Sequence, residues 1–129
     1  AWMNETRMRV SGRRTMSDCV FATGLPSAGR SDLPQTLMDL AQILPVSAGI
    51  RNLGAPALDL AYVAAGRVDG FWERRLKVWD MAAGLIILKE AGGFSESIHP
   101  GENSLEDGTL IAANDQIFTQ LAKAVRKSS

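Results

Sequence analysis

The sequence predicts an α/β fold in which a largely parallel sheet is covered by helices on both faces. Short apolar runs with strand character alternate along the chain with longer segments of helical periodicity. Glycine and proline separate these segments, and no linker is long enough to divide the chain. With 46% hydrophobic residues, the 129 residues can bury one core, so we expect 1–129 to form a single domain.

The first half of the chain predicts two strands with a helix between them. Residues 18–23 are rich in Val, Phe and Ala and end at Gly24-Leu25-Pro26, which is typical of a buried strand closed by a turn. A helix is expected over 32–44, capped by Ser31 or Asp32 and stopped by Pro45, and a short strand over 46–52. The predicted core-facing stripe of this helix is Leu33, Leu37, Leu40, Ile43 and Leu44.

The second half predicts three helices and three strands. One helix begins at Pro56 and ends before Gly66, and a second covers 80–91 before Gly92-Gly93. A third begins at Asn114 or Asp115. Strands are expected over 68–73, 94–98 and 109–113, with a polar loop at 99–108. The predicted core-facing residues are Leu58, Ala61, Tyr62 and Ala65 in the first of these helices and Ile117, Leu121 and Val125 in the last.

Charge and cysteine content exclude several classes of function. The 14 basic residues equal the 14 acidic ones, so no global field attracts nucleic acid or an anionic membrane. An arginine cluster near the start lacks interleaved aromatic residues and is typical of a solvated surface, with a partner-binding role as the minor alternative. The single cysteine, Cys19, lies in an apolar run, and no apolar run reaches the ~20 residues of a membrane span, so we expect a cytoplasmic protein.

The segment from Gly54 to Gly93 carries the functional signal of the sequence. It reads G-A-P-A-L-D-L-A-Y-V-A-A-G-R-V-D-G-F-W-E as far as Glu73, then W-D-M-A-A-G with Asp80, and ends E-A-G-G. This segment resembles the C-terminal signature of the inositol monophosphatase family. The resemblance implies the C-terminal domain of that family's α-β-α-β-α sandwich, and it extends over nearly the whole chain.

The resemblance also implies roles for individual residues. Asp80 would be a ligand of Mg²⁺, a hard ion that takes carboxylate oxygens, and Glu73, seven residues upstream, would bind hydroxyls of the substrate. The turn Gly54-Ala55-Pro56 would lie against the substrate, although Pro56 removes an N–H and Ala55 offers no hydroxyl. No residue of the chain is assigned as a catalytic acid, base or nucleophile.

Each of these residues also has an ordinary structural explanation. Asp80 is compatible with a helix N-cap, which on local grounds is the commoner role and does not exclude metal binding. Glu73 precedes Arg74 and Arg75, which suggests a surface salt bridge. A turn followed by a first-turn proline accounts for the segment beginning at Gly54 without any ligand.

The other metal ligands of the family lie in a D-P-x-D-G-T motif and an earlier glutamate, and no such segment precedes Gly54. Asp107-Gly108-Thr109 copies the last three letters, but an Asp-Gly turn entering a strand explains it. The start at Ala1 lacks an initiator methionine and resembles a cut edge, with 1–16 a remnant of a preceding domain or linker. We therefore expect the missing N-terminal half of the enzyme as a partner, and no activity from this chain alone.

The resemblance implies part of a magnesium-dependent phosphomonoesterase that hydrolyses inositol monophosphate or a related small phosphorylated polyol, as a homodimer. One alternative is a relative specific for another ester, such as a nucleotide 3′-phosphate. The other is a non-catalytic binding or assembly module, since some relatives are partners of the transcription machinery. Nucleic acid binding by the chain itself is not expected, nor is membrane association.

Overall fold

The computed structural model describes residues 2–3, 6–24, 33–52 and 56–128, with the side chains of 2–3, 6–7, 56–57 and 80 outside the description. The strands are β1 (Trp2–Met3), β2 (Thr6–Arg7), β3 (Val20–Thr23), β4 (Gly49–Arg51), β5 (Gly70–Glu73), β6 (Phe94–Glu96) and β7 (Leu110–Ala113). The helices are α1 (Leu33–Ile43), α2 (Pro56–Ala64), α3 (Val78–Glu90), α4 (Ser104–Asp107) and α5 (Phe118–Lys127). Short 3₁₀ turns cover Met16–Asp18 and Leu44–Val46.

Five strands form the main sheet in the order β4-β3-β5-β7-β6, while β1 and β2 form a separate antiparallel pair. Strands β4, β3 and β5 pair in parallel, and β7 pairs antiparallel with both β5 and β6. Within this sheet β7 alone therefore runs against the other four strands. Because α4 is only four residues long, the connection from β6 is no crossover helix, and β7 returns antiparallel beside β6.

The two faces of the sheet carry separate cores, as the alternation of side chains along β5 shows. Trp72 packs with Phe21 and Ile43 in the cluster that includes the buried residues of α5. Phe71 packs on the other face with Leu60 of α2 and the buried residues of α3. Helices therefore cover both faces, and the predicted α/β class and largely parallel sheet are confirmed.

Glycine and proline mark most helix ends as predicted. Pro56 is the first residue of α2, and Gly66 (φ 74°) follows its end. Gly92 (φ 88°) follows α3, where a left-handed backbone favours glycine. The expected caps Ser31 and Asp32 lie outside the described residues. The predicted loop 99–108 contains one short helix, α4, capped by the Asn103 side chain, which accepts a hydrogen bond from the Leu105 N–H at 2.8 Å.

The predicted core-facing stripes of α1 and α2 are partly wrong. In α2, Leu58 is 41% exposed, whereas Leu60 and Val63 are fully buried. The helix is turned because Leu60 packs closely on Gly84 of α3, where an added Cβ would lie 2.6 Å from Leu60 Cδ1. In α1 and the turn after it, Ile43 is buried but Leu33, Leu37 and Leu44 are exposed. The stripe predicted for the last helix, Ile117, Leu121 and Val125, is fully buried.

A buried carboxylate, Asp69, fixes the segment before β3 to the amino end of the parallel strands. Its Oδ2 accepts from the Val20 N–H at 2.8 Å, and its Oδ1 accepts from Arg13 Nη1 at 3.0 Å and from the Ser11 hydroxyl. Asn114, which follows β7, donates from Nδ2 to Ser11 Oγ at 2.7 Å. With Asp69 only 1% exposed, these hydrogen bonds compensate the burial of its charge.

Replacing Asp69 by alanine is expected to lower the free energy of unfolding by about 3 kcal/mol, because the Val20 N–H and the Ser11 hydroxyl lose their buried acceptor. Urea denaturation followed by fluorescence measures this loss. Asp115→Ala is the control, since Asp115 is exposed and follows Asn114 just after strand β7. Equal stability of the two variants contradicts the assigned role of Asp69.

Candidate functional site

The carboxyl ends of three parallel strands meet at one edge of the sheet. Gly24 follows β3, Asn52 follows β4 and Glu73 is the last residue of β5. Helix α2 begins at Pro56, a few residues after β4. Ligands of α/β sheets bind at this kind of edge, where strands give way to helix N-termini. The edge is therefore the place to look for a functional site.

The Glu73 side chain is held in one orientation at this edge. Its Oε1 accepts a hydrogen bond from the Arg74 backbone N–H at 2.9 Å. A Cβ added to Gly24 would lie 1.9 Å from Glu73 Oε2, so the carboxylate lies directly against a backbone that has no side chain. The Thr23 hydroxyl donates to the Trp72 carbonyl at 2.7 Å and joins the two strand ends. Glu73 is half-buried and set by main-chain contacts.

A second carboxyl group, Asp59 in the first turn of α2, lies near Glu73 and was not predicted as a site residue. Asp59 is 2% exposed, and its Oδ1 has no hydrogen-bond partner. Burial, together with the negative charge of Glu73, raises the pKa of Asp59 to about 7. The available sequence signal is an acidic residue between two leucines inside an apolar helix.

The arginine next to Glu73 binds a carboxylate that the sequence did not suggest. The Arg74 guanidinium donates to both carboxylate oxygens of Asp39, from Nε and Nη2, each at 2.8 Å. Asp39 lies on α1 and is 3% exposed. Sequence reasoning missed Asp39 because it falls between the leucines of a predicted apolar stripe.

The structure places the other predicted residues as follows. Gly54 and Ala55 lie outside the described residues, and Pro56 opens α2. Asp80 is the third residue of α3, because the helix begins at Val78. The N-cap alternative for Asp80 is therefore wrong, although Asp80 still lies in the first turn, where the helix dipole favours a carboxylate. Its role as a metal ligand stays a prediction.

The donor chemistry of this edge suits a hard cation, but the described part of the chain does not complete a metal site. Among those residues, no three His, Cys, Asp or Glu side chains form a group that could hold an ion. Mg²⁺ takes one or two protein carboxylates together with water and phosphate oxygens. Asp80 therefore fits as a contributor to a magnesium site, and further ligands are required.

Two other candidates are explained without a ligand. Asp107 Oδ1 accepts from the Thr109 N–H at 2.9 Å and Gly108 has φ 74°, so Asp107-Gly108-Thr109 is the predicted turn. Cys19 is fully buried, and burial raises the pKa of its thiol to about 11. Because a nucleophilic cysteine needs a thiolate, Cys19 stays an inert core residue near neutral pH. Among the helices described, none is long and apolar enough to cross a membrane.

The fold and this edge define an α/β domain with acidic side chains at the carboxyl ends of its parallel strands. The family model for the inositol monophosphatase family matches residues 1–129. The chain belongs to the inositol monophosphatase family. Its fold, predicted from the segment Gly54 to Gly93, is therefore confirmed at the family level.

Similar proteins agree with this assignment. An inositol-1-monophosphatase of Mesorhizobium japonicum is 46% identical over 98% of this chain and 48% of its own length. The Nus factor SuhB of Pseudomonas aeruginosa is 40% identical over 98% of this chain and 47% of its own length. The crystal structure of SuhB from Bartonella henselae is 44% identical with a TM-score of 0.91, and covers 98% of this chain and 49% of that one. The chain thus spans about half the length of these relatives.

The raised pKa of Asp59 predicts a particular pH dependence of stability. The folded chain keeps a proton on Asp59 up to about pH 7, whereas the unfolded chain releases it near the ordinary pKa of 3.8. The contribution of Asp59 to the free energy of unfolding is therefore full below pH 3.8 and is lost as the pH rises through about 7. Asp59→Asn, which cannot titrate, removes this loss.

Urea denaturation between about pH 4.5 and 8 tests this expectation. Over that range, the stability of Asp59→Asn relative to the wild type is expected to rise by roughly 2–4 kcal/mol. The exposed control Asp115→Asn should keep a constant offset from the wild type. Parallel curves for Asp59→Asn and wild type show that Asp59 titrates normally.

Proposed function

We propose that this chain is the C-terminal part of a magnesium-dependent phosphomonoesterase that acts on inositol monophosphate or a related small phosphorylated polyol. Family membership supports a phosphatase, and relatives named inositol-1-monophosphatase support the substrate class. The observation that carries the proposal is the fixed carboxylate of Glu73 at the carboxyl edge of the parallel strands. In this proposal the chain alone is inactive.

Glu73 is suited to bind hydroxyl groups. An ionised carboxylate has two oxygens and about four lone-pair sites, so it can accept hydrogen bonds from adjacent hydroxyls of a polyol. The negative charge also repels a phosphate that enters in the wrong orientation. Neighbouring Asp59, protonated over much of the acidic range, limits the negative charge at this edge. In this proposal Glu73 is therefore a binding residue, and the turn Gly54-Ala55-Pro56 is proposed as a second substrate-binding segment.

Asp80 would contribute one carboxylate ligand to Mg²⁺ from the first turn of α3. When bound, Mg²⁺ supplies charge neutralisation at the phosphate oxygens and lowers the pKa of a coordinated water. The helix dipole at the start of α3 favours a negative charge in the first turn. The remaining ligands would come from the upstream half of the family, which carries the D-P-x-D-G-T motif.

The surface of α3 supports a covering partner. Its exposed stripe consists of Val78, Trp79, Ala82, Ala83 and Ile86. Trp79 is 73% and Ile86 63% exposed, while Met81 and Leu88 on the opposite side are buried. A helix that is apolar on every side is normally buried on every side. We infer that the half of the enzyme that lies upstream in the relatives packs on this stripe.

A second candidate function is binding without catalysis. Several relatives, including that of Pseudomonas aeruginosa, are named Nus factor SuhB. The exposed apolar stripe of α3 gives such a module a surface for a protein partner. Activity measurements on Asp80 variants separate the two candidates, because a binding module does not need the metal.

The isolated chain is expected to show no Mg²⁺-dependent hydrolysis of inositol monophosphate, and the chain joined to the upstream half is expected to show it. We propose to supply that half from the Mesorhizobium japonicum relative and to measure phosphate release with and without Mg²⁺. Asp80→Asn should lower kcat/KM on the order of 100-fold, since a ligand is lost. Asp115→Asn is the matched control.

Turnover by the pure isolated chain contradicts its proposed inactivity. If the joined protein hydrolyses the ester equally well with Asp80→Asn, Asp80 is not a metal ligand. If the joined protein folds and binds Mg²⁺ but hydrolyses no phosphate ester, the binding function is favoured.

The substitution Gly24→Ala tests the role of Glu73, because the backbone of Gly24 lies against the Glu73 carboxylate. The new Cβ overlaps Glu73 Oε2 and must displace the carboxylate. We expect KM for the polyol phosphate to rise about tenfold with little change in kcat. The reason is that a hydroxyl contact binds the substrate and the transition state equally well, so its loss weakens binding without slowing the chemical step. Gly12→Ala is the control, because an added Cβ there has no atom within 4 Å. An unchanged KM in Gly24→Ala rules out a contact between Glu73 and the substrate.

A further inference from the structure

We propose that Asp39 is a positioning residue for Glu73, acting through Arg74 and Trp72, the residues on either side of Glu73 in the chain. The inference rests on the proposed function, in which Glu73 binds the hydroxyls of the substrate. It adds a group on the opposite face of the sheet that controls the position of this carboxylate.

The Asp39 carboxylate holds both neighbours of Glu73. Arg74 donates to it in a bidentate arrangement, Nε to Oδ2 and Nη2 to Oδ1, each at 2.8 Å. Trp72 Nε1 donates to Oδ2 at 3.3 Å. Bidentate pairs between guanidinium and carboxylate fix direction as well as distance. Two side chains of the same strand end are thus bound to one buried acceptor.

The same carboxylate joins two further elements. The Ser128 hydroxyl, just after α5, donates to Asp39 Oδ1. Gln35 Nε2 donates to Oδ1 at 3.3 Å and to the Ser128 carbonyl at 2.8 Å. Arg74 Nη2 also donates to the Val125 carbonyl at 3.3 Å. Helix α1, strand β5 and the end of α5 are therefore connected around a single charge, and none of them can shift without breaking a hydrogen bond to it.

This connection reaches Glu73 through the backbone. Trp72 lies in the core shared with α1 and α5, so the alternation of side chains directs Glu73 towards the face of α2. On that face, the negative charge of Glu73 contributes to the raised pKa of Asp59. The Arg74 N–H that binds Glu73 Oε1 belongs to the residue whose guanidinium is held by Asp39. Holding the Arg74 side chain therefore holds the peptide group that orients Glu73.

Residue-resolved hydrogen exchange of the isolated chain tests whether the pairing of Arg74 with Asp39 fixes the backbone next to Glu73. Arg74→Ala is expected to speed exchange of the amide at position 74 at least about tenfold, because that amide loses its fixed orientation towards Glu73. Amides of β7 should keep their protection. Arg126→Ala is the matched control, since Arg126 instead pairs with Glu96 at 2.8 Å. Unchanged exchange at position 74 in Arg74→Ala overturns the proposal.

Kinetic measurements on the chain joined to the upstream half test whether Asp39 affects substrate binding through Glu73. Arg74→Ala and Asp39→Asn are expected to raise KM about three- to tenfold with kcat little changed. In a Glu73→Gln background the same changes should have almost no further effect, because they act through Glu73. An equal rise in KM in both backgrounds shows a general structural role and overturns the proposal.

Two further variants test the proposal if Arg74→Ala is not sufficient. If Arg74→Ala does not fold, Trp72→Phe removes one donor to Asp39 while keeping the ring, and it should give the same pattern at smaller amplitude. Arg74→Lys should recover only part of the effect, since a lysine cannot form the bidentate pair. If Glu73→Gln itself leaves KM unchanged, the proposed function of Glu73 fails, while the exchange experiment still decides whether Asp39 positions it.

Discussion

The buried carboxylate of Asp39 is the constraint on which the functional edge of this domain depends. It gathers donors from β5, α1 and the residue after α5 around one charge. Such donors compensate the burial of a carboxylate that is only 3% exposed, and the loss of one of them leaves an acceptor buried without a partner. The position of the strand end at Glu73 is therefore tied to the packing of two helices on the opposite face of the sheet.

The three aspartates that are buried in the described part of the chain are of two kinds. Asp39 at the carboxyl edge and Asp69 at the amino edge each have an arginine partner, at 2.8 and 3.0 Å respectively. Asp59 differs, because its Oδ1 has no hydrogen-bond partner and its pKa is raised to about 7 by burial and by Glu73. The paired carboxylates connect elements around the sheet, whereas a buried carboxyl group with a strongly raised pKa is more often found at a functional site.

The sequence predicted most elements of the fold, because their ends depend on local chemistry. Pro56, Gly66 and Gly92 mark helix boundaries through backbone preferences that need no tertiary contact. Which side of a helix faces the core depends instead on its neighbours. Leucines stand at both 58 and 60 in α2, and only the close approach of α3 at Gly84 decides between them.

The same limit applies to the candidate site. Glu73 and Asp80 were proposed from the resemblance to the family signature, because the spacing of its motifs can be read from the sequence alone. Asp39 and Arg74 were not, because they are 35 residues apart and their pairing requires α1 to pack against the end of β5. Helix α1 was expected to bury leucines, yet it turns the Asp39 side chain inwards because Arg74, Trp72 and Ser128 supply donors there.

Asp80, the proposed magnesium ligand, lies on the same helix as the exposed apolar stripe of α3. Asp80 lies in the first turn of α3, directly after Val78 and Trp79, which are 52% and 73% exposed. Asp80 is thus adjacent in the chain to two exposed apolar side chains. A covering segment that carried carboxylates would complete the burial of α3 and the ligand set in one step. In the proposed enzyme, the upstream segment would thus have to supply further Mg²⁺ ligands as well as a cover for α3, since one carboxylate alone binds Mg²⁺ weakly.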